Sequence, residues 1–245
     1  MKIYIGIDDT DNLETRGTGF QARTLGFSLM NAGLLSLQTV TRHQLLVDRR
    51  IPFTSHNSSA CLAGETISDL DTIISHCREF LVRESAFDSD AGLCVAAEDS
   101  ITGEIVAWGQ CAKQQILKLQ DATDLASKHG IYLEGFLNTR IGMIGSLAAV
   151  GLRFKGDDGR LLWLKNLRET LGIYRSAEYI GLTGIERIIE KNGKPVNENS
   201  LLNVTEWTRP VMKDGLITLF AEKTETHEPY EYQSASKEYI KSISE

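Results

Sequence analysis

Hydrophobic and polar positions alternate from the first residues of the chain. Ile3, Ile5 and Ile7 fall on one face of a strand, and the apolar run stops at Asp8-Asp9-Thr10-Asp11. A polar stretch, Glu14 to Gly19, follows; Ala22, Leu25, Leu29 and Met30 then recur at helical spacing as far as Asn31-Ala32-Gly33. The opening therefore reads strand, loop, helix. Residues 40–47 are rich in β-forming side chains and end at Arg49-Arg50-Ile51-Pro52, a turn where proline forbids helix. A polar run over 54–59 leads into Ala60-Cys61-Leu62. Ser68-Asp69-Leu70-Asp71 reads as a helix N-cap, with Leu70, Ile73, Ile74, Cys77, Phe80 and Leu81 on one helical face. Residues 92–97 and 105–108 read as strands, and 114–128 as partly helical. The order over 59–133 is strand, helix, strand, strand, helix, strand, which predicts an inserted ferredoxin-like βαββαβ domain.

Farther along, Thr139 to Ser146 precedes a helix of small residues, Leu147-Ala148-Ala149-Val150-Gly151. Gly156-Asp157-Asp158-Gly159 reads as a hairpin turn, since Asp-Gly favours one. Arg209-Pro210-Val211 and 216–221 predict late β structure, and the tail over 223–245 reads as polar, acidic and frayed. The fold class expected is α+β. Its domains are a discontinuous α/β domain from 1–57 and 135–222, the ferredoxin-like domain over 58–134, and the tail.

Composition narrows the function classes. The chain carries 33 acidic against 26 basic residues, a net charge of −7, so no global basic field favours nucleic acid. No apolar run reaches the ~18 to 20 residues of a membrane span, and no signal segment precedes the first strand, so a cytoplasmic location is expected. Cys61, Cys77, Cys94 and Cys111 are too scattered for a zinc site and read as buried thiols.

Chemistry concentrates in two places. Asp8, Asp9 and Asp11 repel one another unless Mg²⁺, a proton or a basic partner offsets their charge; an acidic turn that merely ends the strand also fits. Gly142-x-x-Gly145-Ser146 before an apolar helix either aims bare N–H groups at phosphate or permits close helix packing. A nucleoside triphosphate needs both metal ligands and donors to its oxygens, so the pair of features points to phosphoryl chemistry. Arg16, Arg42, Arg140 and His43 are candidates for offsetting charge on the transferred group. His56 and Asn57 suit either substrate binding or an ordinary exposed loop.

These residues resemble a family. Ile7-Asp8-Asp9-Thr10-Asp11, Arg16-Gly17, Ile51-Pro52-Phe53-Thr54 leading into Asn57, and Ile144 to Gly151 look like blocks of archaeal tRNA-Ile agmatinylcytidine synthetase. Tyr174-Arg175 and Thr208-Arg209-Pro210 echo further blocks, and the likeness runs in order to about residue 220. The resemblance implies that 1–57 and 135–222 form an atypical kinase-like, ATP-dependent domain interrupted by the ferredoxin-like one, and that an OB-fold and a zinc ribbon follow. It implies that Asp8, Asp9 and Asp11 hold Mg²⁺ and the triphosphate, and that the Gly142 to Ser146 loop cradles phosphate; Arg140, His56 and Asn57 join Gly142, Gly145 and Ser146 as the expected nucleotide-binding residues. Two departures stand out. These cysteines build no zinc ribbon and the residues after 220 build no OB-fold, which shifts the expected acceptor toward a small or partner-delivered molecule, with tRNA unsupported by charge. The family's phosphorylated threonine aligns with Phe20, and Thr18 stands nearby as its substitute. Two further readings remain: an Asp-x-Asp phosphohydrolase using Asp9 and Asp11, and a nucleotide- or RNA-binding module without catalysis.

Overall fold

The computed structural model describes residues 1–52, 56–225 and 228–244. Phe53, Thr54 and Ser55, part of the polar segment and of one family block, lie outside them. The chain divides into two units, Met1–Lys155 and Gly156–Glu245.

The first unit begins with β1 (Lys2–Asp8), α1 (Thr18–Asn31), β2 (Ser36–Gln44), β3 (Ser58–Glu65), α2 (Leu70–Glu84) and β4 (Gly92–Ala97). It continues through α3 (Gly103–Ala112), α4 (Leu119–Lys128), β5 (Tyr132–Gly135) and α5 (Gly142–Lys155). The strands form an antiparallel sheet in the order β5-β4-β1-β3-β2. The βαββαβ order expected over 58–134 is met one strand pair earlier, by β1 to β4. Residues 105–108 are helical, within α3: Ile105, Trp108 and Ala112 turn toward α5, as a helix repeat allows and a strand would not. β3, β4 and β5 share a sheet with β1, so the boundaries expected at 57/58 and 134/135 do not separate compact units.

Alternation along β1 supplies both faces of this sheet. Ile5 pairs with Leu62, and Leu62 meets α1 at Gly26, so the isoleucine face lies under α1. On the opposite face Tyr4, Cys61, Ala63, Cys94 and Ala96 pack against α3, α4 and the small-residue helix α5. A Cβ on Gly6 would overlap the Ser146 carbonyl, so glycine there is what lets α5 lie flat on β1. α2 starts as its sequence predicts: the Asp69 carboxylate accepts the Thr72 N–H at 2.8 Å. Cys61, Cys77 and Cys94 are buried as expected, and burial pushes the Cys61 and Cys77 thiols up to about 12. Cys111 is partly exposed.

The second unit contains β6 (Arg160–Leu164), β7 (Gly172–Arg175), α6 (Ser176–Thr183), β8 (Arg187–Glu190), β9 (Leu201–Val204) and β10 (Val211–Lys213). β11 (Leu216–Lys223), β12 (Tyr232–Ser234) and α7 (Lys237–Ser244) complete it. β10 and β11 form a hairpin whose two-residue loop, Asp214-Gly215, has φ of 53° and 80°, as a type I′ turn requires. Gly156 to Gly159 instead connects helix α5 to strand β6, so no hairpin forms there. The described part of the tail is not frayed. β12 pairs with β11 and β9, and α7 buries Ile240 beside Phe220 and Val211, because Tyr232 and Ile240 supply apolar anchors among the polar residues. Among the described residues no helix is long and apolar enough to cross a membrane.

Candidate active site

β1 carries the acidic cluster out of the sheet. Asp8 is its last residue, and Asp9 follows with φ of 52°, a left-handed backbone that turns the chain sharply. Asp8, Asp9 and Asp11 all line one cleft of about 470 Å³ within the first unit, a volume suited to a small ligand. Asp8 is buried against α5, and a Cβ on Gly145 would overlap its Oδ2. Burial, followed by the charges of Asp9 and Asp11, holds the Asp8 carboxyl well above the usual range. Burial likewise raises Asp9 to about 6, with the charges of Asp90 and Asp11 adding to it. Carboxyls crowded and buried in this way are relieved by a proton or by positive charge beside them.

The start of α1 opens into the same cleft. Thr18 donates its N–H and its hydroxyl to Asp11 Oδ1, at 3.0 and 2.8 Å. Its oxygen accepts from the Thr10 hydroxyl at 3.2 Å, which fixes the side chain at the helix entrance. Phe20 N–H turns back to the Gly17 carbonyl, whereas Gly19 N–H has no partner among the described residues. An unpaired N–H at a helix N-terminus is a donor for an anionic oxygen.

The start of α5 differs from its expected part. Gly142 and Gly145 line the cleft, but the Gly142, Met143 and Ile144 N–H groups already bond to the carbonyls of Asp90, Arg140 and Ile141. Gly142 packs so tightly that a Cβ would overlap the Asp90 carbonyl. Of the two readings of this motif, close packing is the one the geometry carries. Ser146 is fully buried and donates to the Met143 carbonyl, and Arg140 is exposed and outside the cleft lining; neither reaches a ligand there. Asp90 explains the arrangement, since its carboxylate accepts the N–H groups of Thr139 and Arg140 and so seats the segment entering α5.

His56 and Asn57 line the cleft. Asn57 is committed to structure: its amide donates to the Leu46 carbonyl at 2.7 Å while its own carbonyl accepts from Leu45 and Gln44. Arg42 lines the cleft, bonded to Ser58 and Gln44, whereas His43 is buried against Thr41. Arg16 stays exposed over the Phe20 ring, 4.5 Å from its centroid, and does not line the cleft. Sequence reasoning missed Arg23, Arg50 and the apolar lining of Leu45, Ile116, Leu117 and Ile144. Arg23 was detectable, because it lies three residues after Phe20 on one helical face. Nothing local marks Ile116 and Leu117, which arrive through the connection between α3 and α4.

A second groove of about 540 Å³ shares Asp9, Asp11 and Pro52 with the cleft. Glu14, Asp88 and Asp90 add carboxylates, Leu13 and Phe87 form highly exposed apolar walls, and no lysine or arginine lines it among the described residues. Among the described residues no group of three or more His, Cys, Asp or Glu side chains stands where it could hold a metal ion. The three-carboxylate cage expected from the sequence is thus not formed by the protein alone. Mg²⁺ is ordinarily held by one or two carboxylates with phosphate oxygens completing the shell, and this donor set fits that role.

No protein-family model matches the sequence, and no curated protein does. Solved structures do. The chain matches apo TiaS, an agmatidine synthetase acting on an isoleucine tRNA, at 20% identity and a TM-score of 0.55, over 62% of this chain and 35% of that one. It matches the TiaS complex with that tRNA and ATP at 22% identity and a TM-score of 0.53, and the complex with the tRNA, AMPCPP and agmatine at 22% and 0.54. Both of these cover 62% of this chain and 36% of the other. The likeness is one of fold. It bears out the α+β class expected from the sequence, and the chain spans about a third of the length of these structures.

Proposed function

We propose that the chain is an ATP- and Mg²⁺-dependent phosphoryl-transfer enzyme of synthetase-like type. The observation that carries this reading is the convergence, in one cleft, of three carboxylates from the end of β1 with the unpaired Gly19 N–H at the start of α1. The resemblance of the sequence blocks supports it, as do the ATP and AMPCPP held by structures of the same fold. ATP bound with Mg²⁺ would supply a phosphoryl group made electrophilic by the metal.

The chain's own groups divide the remaining work. Asp8 and Asp9 are placed to hold the metal, with Asp11 completing the acidic end. Gly19 N–H and the positive end of α1 offer an anion site, and Arg23 and Arg42 add positive charge along the wall. The Thr18 hydroxyl, donated to Asp11, is oriented as a candidate acceptor whose proton the carboxylate can take. The acidic groove beside the cleft suits a small organic cation as final acceptor, in keeping with the agmatine named in the TiaS complex. The phosphohydrolase reading lacks its scaffold, since the strand pairings among the described residues of the first unit are antiparallel.

Calorimetry with Mg²⁺-ATP tests the proposal. Binding should require Mg²⁺, vanish with EDTA, and fall by about 100-fold in Asp9→Asn. Wild-type ATP affinity and turnover in both Asp8→Asn and Asp9→Asn would overturn it. Incubation with γ-labelled ATP addresses Thr18 separately: the label should be lost in Thr18→Ala, and its retention would remove Thr18 as acceptor.

A further inference from the structure

Away from its acidic end, the cleft becomes apolar. Asp8 touches Gly145, Gly145 lies against Leu45, and Leu45 belongs to the packed cluster that includes Ala112, Leu117 and Ile144. The sequence of contacts gives the cleft a direction, from the carboxylates to an apolar slot near the end of α3. Apolar walls suit the faces of a heterocycle, and Gln115, between Ala112 and Ile116 in the chain, lines the same cleft. The other polar side chains here are occupied: Asn57 by Leu46, Arg42 by Ser58 and Gln44, Arg50 by Asp48. The Gln115 amide has no hydrogen-bond partner among the described residues.

Its backbone, by contrast, is held. Gln115 N–H bonds to the Cys111 carbonyl at 2.9 Å, and Leu46 N–H bonds to the Ala112 carbonyl at 3.0 Å, tying the end of α3 to the segment after β2. The backbone is held while the exposed carboxamide stays free to turn, so the side chain can offer a ligand both a donor and an acceptor. Adenine presents such a pair, the N6 amino group beside N7, whereas guanine shows two acceptors, O6 and N7, on that edge.

We propose that Gln115 selects the nucleobase, accepting from the adenine amino group and donating to a ring nitrogen, and so gives the cleft its preference for ATP over GTP. The inference rests on the reading of the cleft as a triphosphate site. Equilibrium binding of Mg²⁺-ATP and Mg²⁺-GTP to the full chain tests it, using the wild type, Gln115→Leu and Gln115→Glu. Wild type should prefer ATP by at least about tenfold, the return expected from one two-point contact. Gln115→Leu keeps the bulk and loses both bonds; Gln115→Glu keeps an acceptor and loses the donor. Both should bring the two affinities within about threefold, Gln115→Leu by weakening ATP alone and Gln115→Glu with a further loss shared by both nucleotides from its charge. Because Gln115 is exposed, both variants should keep the wild-type circular dichroism spectrum. Equal binding of ATP and GTP by wild type, or an unchanged preference in both variants, overturns the inference and leaves the ATP site standing. Failure of wild type to bind any triphosphate overturns the site and the inference together.

Discussion

Two helices begin at the same cleft and use their glycines in opposite ways. At the start of α1, Gly17 has open space around it, since a Cβ added there would come no nearer than 3.8 Å to Asp11 Oδ2, and Gly19 leaves its N–H unpaired among the described residues. At the start of α5, Gly142 and Gly145 have no room for a methyl group, and the first N–H groups are taken by neighbouring carbonyls. One helix start offers donors; the other forms a wall. The difference shows that a glycine before a helix marks phosphate binding only when its amides are left without partners.

Substitutions can break this contrast. The largest effect should come from Gly145→Ala, where the new Cβ overlaps the Asp8 carboxylate: about 3 kcal/mol of stability lost by urea unfolding, with ATP affinity lost as well. Asp11→Asn should leave the urea midpoint near wild type while cutting turnover about 100-fold, because Asp11 orients the Thr18 hydroxyl. Ser146→Ala removes one buried hydrogen bond and should cost about 1 kcal/mol with no change in ATP affinity. Gly17→Ala should be the mildest, under about 1 kcal/mol, since its φ of −58° suits any residue. If Gly17→Ala proved as damaging as Gly145→Ala, the distinction between the two helix starts would fail.

Much of this arrangement is legible in the sequence where a pattern is local. The alternation of Ile3, Ile5 and Ile7 locates β1 and the exit of Asp8; Asp69 and the Ile73, Cys77, Phe80 and Leu81 face locate α2; residues 92–97 coincide with β4. Ile105 to Trp108 was open to misreading because four apolar residues in a row carry no period, and only packing against α5 decides for helix. The roles of Gly142 and Gly145 depended on Asp90 and Asp8, each far away in the chain, so no local spacing reveals them. The apolar slot was hidden for the same reason.

The position of β1 sets how the acidic end behaves over time. From Ile3 to Ile7 the strand is paired on both sides, with β3 and with β4. Amides held in this way are expected to exchange with solvent only when the sheet as a whole opens. A ligand would therefore meet Asp8, the last residue of that strand, already in place whenever the sheet is folded, with Asp9 and Asp11 on the loop that follows left to adjust to it.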